Sequence, residues 1–333
     1  MNNGNNTGNN NTTTRSARRQ DWRPARSAAL ATQIRLGLFG LLVASQAAFA
    51  APQGGEIAAG QGSISTPDAT TTLIQQQSNN LYINWQSFNV GAQELVRFEQ
   101  PSASASVLNR ILDQNPTEIF GRIQANGRVA LINPNNAIIF GDGARIDVAS
   151  LLVVSGMNIS VEDYMRNNYS LKSTLSNDGG IIVNRGLLQA ATGGNVTLVG
   201  GAVENTGVII ADAGHINLAA SRAAVVDFDG DGLVKLQVDE KVLENSAGKT
   251  AAVSNSGTLQ AEGGQVLMTA NVARDVFSSV VNNSGTIKAG RIENVGGVVR
   301  LVGMGGTTIN SGTIDAAGRD TVSTGGSVRI LGD

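Results

Sequence analysis

Five copies of the pattern Asn-x-Gly-x-(Leu/Ile)-x-Ala recur in the second half of this 333-residue chain, beginning at Asn184, Asn205, Asn255, Asn283 and Asn310. The starts are 21, 50, 28 and 27 residues apart. A glycine-preceded apolar run follows each copy: NVTLV after Gly194, HINLA after Gly214, QVLMT after Gly264, VVRLV after Gly297 and SVRIL after Gly326. A unit this short cannot enclose a core alone, but stacked units bury one between them, so the pattern specifies a solenoid. Its runs have strand length, and a parallel β-solenoid sets like side chains in columns about 4.8 Å apart. The Leu/Ile and Ala positions are expected to face inward. Glycine is expected to supply the positive φ of a tight corner, and asparagine to bond its equivalent in the next coil as a ladder. Insertions between Ala and the next strand are expected to fall at one corner.

Composition agrees. Glycine is 41 of 333 residues, about 12% against an ordinary level of about 7%. Aromatics make up only 4%, so the core must be aliphatic, which suits narrow coils. The chain has no cysteine, which excludes disulfides and thiolate metal sites.

Residues 1–50 are read as a signal peptide with a long head. Residues 2–14 are Asn, Thr and Gly only, and Arg15, Arg18, Arg19, Arg23, Arg26 and Arg35 follow. An apolar run from Leu36 to Ala44 precedes Ala48-Phe49-Ala50, with Ala48 and Ala50 placed as the small residues of a cleavage site. The run is too short to span a bilayer. Removing residues 1–50 takes away six Arg and one Asp and leaves 18 basic against 25 acidic residues, a net charge of about −7. No nucleic-acid surface is expected from that balance.

Residues 51–175 read as short strands interrupted by turns, and residues 176–333 as the repeats. Leu81, Ile83 and Trp85 alternate with period two, and a slip after Gln86-Ser87 indicates a turn or bulge. Residues 161–172 fit a loop or a single helical turn. The 50-residue gap between the second and third repeats holds VVDFDGDGLVKLQVDEKV, read as a hairpin outside the solenoid with its turn at Asp229–Gly232. No polar capping segment follows the fifth repeat, so the polypeptide is expected to continue past Asp333.

Residues for catalysis are sparse. His215 is the single histidine and is expected to be structural or surface-lying. Gly248-Lys249-Thr250 lacks the first glycine of a phosphate loop, since Leu243 stands there. Asp227, Asp229 and Asp231 open like a calcium loop, but Val238 occupies the twelfth position, where Glu is required. A solvated turn is the default. No cofactor, metal site or enzymatic activity is assigned.

One segment carries a specific signature. Trp85, Phe88, Asn89, Val90 and Gly91 are followed by Val96, Phe98 and Pro101, then by Asn109-Arg110-Ile111, Ile119, Gly121 and Ile123, and finally by Leu131-Ile132-Asn133-Pro134-Asn135-Asn136-Ala137 and Phe140-Gly141. This order resembles the secretion domain of two-partner secretion exoproteins of the filamentous haemagglutinin type. The resemblance implies a right-handed, single-stranded, pectin-lyase-like parallel β-helix with an N-terminal β-cap. It implies secretion through the periplasm of a Gram-negative bacterium to the cell surface or beyond. The implied partner is an outer-membrane TpsB-type β-barrel transporter, met through its periplasmic POTRA modules. The family's secretion motif maps onto Asn133, Pro134 and Asn135, with Asn136 where Gly or Leu is usual and Ala137 inserted; Asn136 is expected to take positive φ in glycine's place. Asn109 and Arg110 join these as candidate recognition residues. The full-length exoprotein is expected to be an adhesin or haemagglutinin, and this part of it a monomer. The alternatives are a module that binds host-cell or matrix glycan through Trp85, and a β-helical polysaccharide lyase.

Overall fold

The computed structural model describes residues 51–174, 180–228, 234–245, 248–291, 295–318 and 324–333. The signal-peptide reading and the Asp229–Gly232 turn lie outside them. Three parallel-stranded sheets form the sides of a β-helix: a first of ten strands, a second of seven and a third of ten. The chain visits first, second and third sheet in turn and then climbs one coil. Residues Leu151–Ser155, Ile181–Asn184, Leu187–Ala190 and Asn195–Gly200 make one such circuit. All ladders between successive coils are parallel and in register; the strand His215–Ala220, for example, pairs residue for residue with Asn195–Gly200.

The inward columns are aliphatic. On the third sheet Ile146, Leu188, Ile209, Leu259, Ile287 and Ile314 stack in register, as the Leu/Ile position of the repeat requires. On the first sheet Leu131, Val154, Leu198, Leu218, Met268 and Leu301 do the same. All of these except Ile314 are buried, and they belong to one continuous core.

The repeat glycines act differently from expectation. Gly186, Gly207, Gly257, Gly285 and Gly312 have no positive φ. What they need is room. A Cβ on Gly257 would sit 2.0 Å from the carbonyl oxygen of Gly207, and one on Gly285 would sit 2.2 Å from that of Gly257. Gly207, Gly257, Gly285 and Gly312 each lie on the backbone of the glycine one coil below, and Gly186 lies on that of Ala144, so a side chain there would force the coils apart. The second glycine of the unit obeys the same rule: a Cβ on Gly264 would meet the Gly214 carbonyl at 2.1 Å.

The start of the helix is capped. Glu56–Ala59 lies antiparallel on Asn80–Trp85, and Gly62–Asp68 lies antiparallel on Thr71–Gln76. Pro67 and Asp68 blunt that outer edge, since proline and charge discourage further strand pairing. Small insertions cluster at the third-to-first corner, as expected. The long ones leave from the first-to-second corner. There Ser160 N-caps a helix, Val161–Met165, and the strand Ser170–Lys172 pairs with a hairpin of Ala223–Phe228 and Val234–Glu240. The hairpin outside the solenoid is therefore present, and the 161–172 segment is its neighbour.

Candidate functional site

The Asn-Pro-Asn segment forms the first-to-second corner of the coil that begins with Arg128–Ile132. Asn133 is buried, and its Oδ1 accepts from the backbone N–H of Asn135 and of Asn136, both at 3.0 Å. This is an Asx turn, in which a side chain replaces a backbone acceptor. The Asn133 amide reaches the coil below, donating to Thr117 Oγ1 at 3.0 Å and to the Asn115 carbonyl at 3.3 Å. Asn135 donates to the Leu112 carbonyl at 3.1 Å, and Asn136 to the Gln114 carbonyl at 2.7 Å. Asn136 also accepts from Ala137 N–H at 2.8 Å. One corner is thus stitched to the corner beneath by three amides. None of Asn133, Asn135 and Asn136 has positive φ, so Asn136 does not stand in for glycine. Its side chain satisfies the inserted Ala137 N–H instead, and the turn closes with ordinary backbone.

Sequence reasoning missed the lower half of this site. Asp113 Oδ1 accepts from both the backbone and the side chain of Asn115, shaping residues 112–115 into the receiving corner. A second Asn-Pro pair, Asn115-Pro116, was the available signal.

Asn109 stands in the inward column beneath Leu131. It accepts from the Trp85 indole N–H at 2.9 Å and donates to the Ala130 carbonyl at 3.2 Å. A buried indole needs an acceptor, and Asn109 provides it. Trp85 is 1% exposed and packs edge-on against Phe88, so it offers no platform to a glycan. Its apolar ring belongs to the core. Arg110 points the other way and donates from Nε to Asn158 Oδ1 at 3.0 Å. The structure therefore brings Asn133, Pro134, Asn135 and Asn136 together at one corner and leaves Asn109 and Arg110 on the neighbouring sheet, facing opposite sides.

The repeat asparagines form the expected ladder. Asn184, Asn205, Asn255 and Asn283 each donate from Nδ2 to Oδ1 of the next, ending at Asn310, every bond at 2.7 Å. His215 is buried with Nδ1 2.8 Å from Asn195 Oδ1, and Lys249 pairs with Glu204.

A parallel β-helix with an antiparallel cap is the architecture that the resemblance to a secretion domain implied, and it carries a stitched Asn-Pro-Asn corner and a hairpin outside the solenoid. The comparisons agree. The TPS secretion domain family matches residues 48–316, and the chain belongs to that family. It is the secretion domain of a two-partner-secreted exoprotein, a class exported across the outer membrane of Gram-negative bacteria with a TpsB transporter. The heme/hemopexin-binding protein of Haemophilus influenzae is 38% identical over 124 residues, 36% of this chain and 13% of that protein. The matched region is thus a small part of that relative's length. The HMW1 secretion domain from Haemophilus influenzae superposes with a TM-score of 0.64 at 27% identity, covering 75% of this chain and 62% of that one. The filamentous hemagglutinin secretion domain gives a TM-score of 0.46 at 14% identity, covering 85% of this chain and 99% of that one.

Proposed function

We propose that this domain heads an adhesin or haemagglutinin and that the corner Asn133–Asn136 serves export by fixing how one coil sits on the one before it. The signal at residues 1–50 is cleaved after Ala50. In the periplasm the extended 51–175 region docks on the transporter's POTRA modules by strand addition, a mode open to any unpaired strand edge. Outside the cell coils stack in chain order, and each one makes retreat less favourable. Folding stability of about 5–15 kcal/mol is enough to bias passage without nucleotide hydrolysis. No catalytic role is assigned.

The observation that carries this reading is the inward engagement of the motif. Asn133 and Pro134 are buried, and the amides of Asn135 and Asn136 are spent on carbonyls of residues 112–114. A motif so used is hidden once the corner closes, so recognition of it precedes closure. Asn109, buried on Trp85, follows the same logic, while Arg110 orders the segment around Asn158.

The test is export of the full chain from a Gram-negative host with and without its cognate transporter. Export should require the transporter and fall at least tenfold in Asn133→Ala and Asn135→Ala. Purified, refolded Asn135→Ala should keep its β circular dichroism. Undiminished export of both variants would overturn the role of the corner.

A further inference from the structure

The outward face of the first sheet carries a stripe that a solvated sheet would not have. Tyr82, Leu108, Ala130, Ile132, Val153, Val199 and Ala219 all point away from the solenoid core and are all buried. They form a second apolar cluster with the helix Val161–Met165, the strand Ser170–Lys172 and the hairpin. Tyr164 anchors the helix end of this cover: its ring meets Tyr82 edge-on at 5.8 Å, and its hydroxyl lies 2.7 Å from Ser106 Oγ. At the other end Asn271 donates to the Asp239 carbonyl at 3.3 Å. The cover therefore straps coils running from Asn80–Trp85 to Gln265–Asn271, whereas sheet hydrogen bonds join only neighbouring coils.

Its two halves lie far apart in sequence. Ser170–Lys172 receives the hairpin strand in the register Ser170 to Val225, Leu171 to Ala224 and Lys172 to Ala223. The coil strands Ile181–Asn184 through His215–Ala220 intervene, two full circuits of the helix. Stacking of these coils brings Ala223–Phe228 to Ser170–Lys172 and spares the closure of a loop of about 50 residues. Until then the edge of that strand is unpaired, and Leu171, Val153 and Val199 lack the Val226 side of their cover. The hairpin holds on by that strand edge, by one apolar face and by the Asn271 bond to its far strand, while Gln237, Asp239 and Glu240 are exposed.

We infer that the hairpin Ala223–Phe228/Val234–Glu240 is a latch, closing after the coils beneath it have stacked and opening as a unit of its own in the native protein. Closure converts a stack held coil to coil into one body tied across its length. Its place during export rests on the proposed order of coil formation; the latch itself does not.

The chain has no cysteine, so single thiols report cleanly. Val226→Cys lies under the latch and Val196→Cys in the solenoid core, and both native side chains are about 1% exposed or less. In the purified full chain, a thiol reagent should label Cys at 226 at least tenfold faster than Cys at 196, because local opening needs less free energy than unfolding of the coils. After dilution from urea, protection at 226 should appear later than at 196. A third variant, Val226→Asp, should strip the hairpin amides of hydrogen-exchange protection and leave the coils protected. Equal labelling rates with simultaneous protection would overturn the latch, as would global loss of protection in Val226→Asp. None of these measurements involves a transporter, so the latch can fail while the export reading stands, and the reverse.

Discussion

The first coils and the repeat coils turn their corners on different chemistry. In the second-to-third corner the column reads Ile119 and Phe140, then Asn184, Asn205, Asn255, Asn283 and Asn310. Beside it runs glycine in both regions. A Cβ on Gly121 would meet the Gly91 carbonyl at 2.2 Å, and one on Gly207 would meet that of Gly186 at 2.3 Å. Close backbone contact thus calls for glycine at these positions in both regions, with Ala144 standing in the same column between Gly121 and Gly186, while the neighbouring column is free to be apolar or amide. Apolar packing tolerates small shifts, and a directional amide ladder does not. The early coils recover direction at a different corner, where Asn133, Asn135 and Asn136 stitch down onto residues 112–115. Each region has a hydrogen-bonded corner beside the second sheet, and the two regions place it on opposite ends of that sheet.

The largest expected effect tests what the regions share. Gly257→Ala and Gly121→Ala should each lose about 3 kcal/mol or more in urea unfolding, since overpacking against backbone has no flexible neighbour to yield. Gly143→Ala, whose nearest atom is 3.3 Å away, should lose far less. Tolerance of Gly121→Ala alone would confine the glycine rule to the repeats.

The next effect tests what separates them. Asn255→Ala removes the acceptor of Asn205 and the donor to Asn283, both buried, and should cost about 2–3 kcal/mol. Asn133→Ala strips the Asn135 and Asn136 N–H groups of their acceptor and should cost a similar amount. Hydrogen exchange should place the first lesion in residues 202–289 and the second in residues 106–155. Exchange that spreads alike through both regions would show one cooperative unit and not two registers.

Much of this was legible in the sequence, for a physical reason. A stacked coil repeats its environment, so identical residues recur, and the five Asn-x-Gly units carry both the aliphatic columns and the amide ladder. Glycine's part was misread because two demands, positive φ and missing volume, select the same residue, and one sequence does not separate them. Trp85, placed with Leu81 and Ile83 on one apolar face, still left a glycan platform open as an alternative. An indole reads equally as a platform or as core, and only Asn109, 24 residues on, decides between them. The Asn133 corner was visible as a turn; its receiving loop at 112–115 offered only the second Asn-Pro pair, Asn115-Pro116, because the carbonyls that accept from above leave no residue type to recognise. The apolar stripe under the strap was hidden by continuous hydrophobic runs such as that at 152–154, where inward and outward faces are both buried and period two disappears.

The smallest effect concerns the strap, which crosses from one region to the other. The chain has three tyrosines, Tyr82, Tyr164 and Tyr169, and all lie in the strap's apolar cluster. Burial raises the hydroxyl of each above its ordinary value of 10.0, that of Tyr164 well above it. Arg110 partly opposes this at Tyr82, and the Ser106 hydroxyl at Tyr164. A phenol with a raised folded-state value binds its proton more tightly folded than unfolded. Its contribution to stability is therefore complete below pH 10 and is lost as pH climbs through the folded-state values. Alkaline titration followed by tyrosinate absorbance reports on the strap alone. It should show delayed ionisation, and the hairpin amides should lose exchange protection before those of the Asn184–Asn310 ladder, which contains no titrating group. Tyrosines that ionise together near pH 10 with the fold intact would mean that the strap breathes freely and ties nothing.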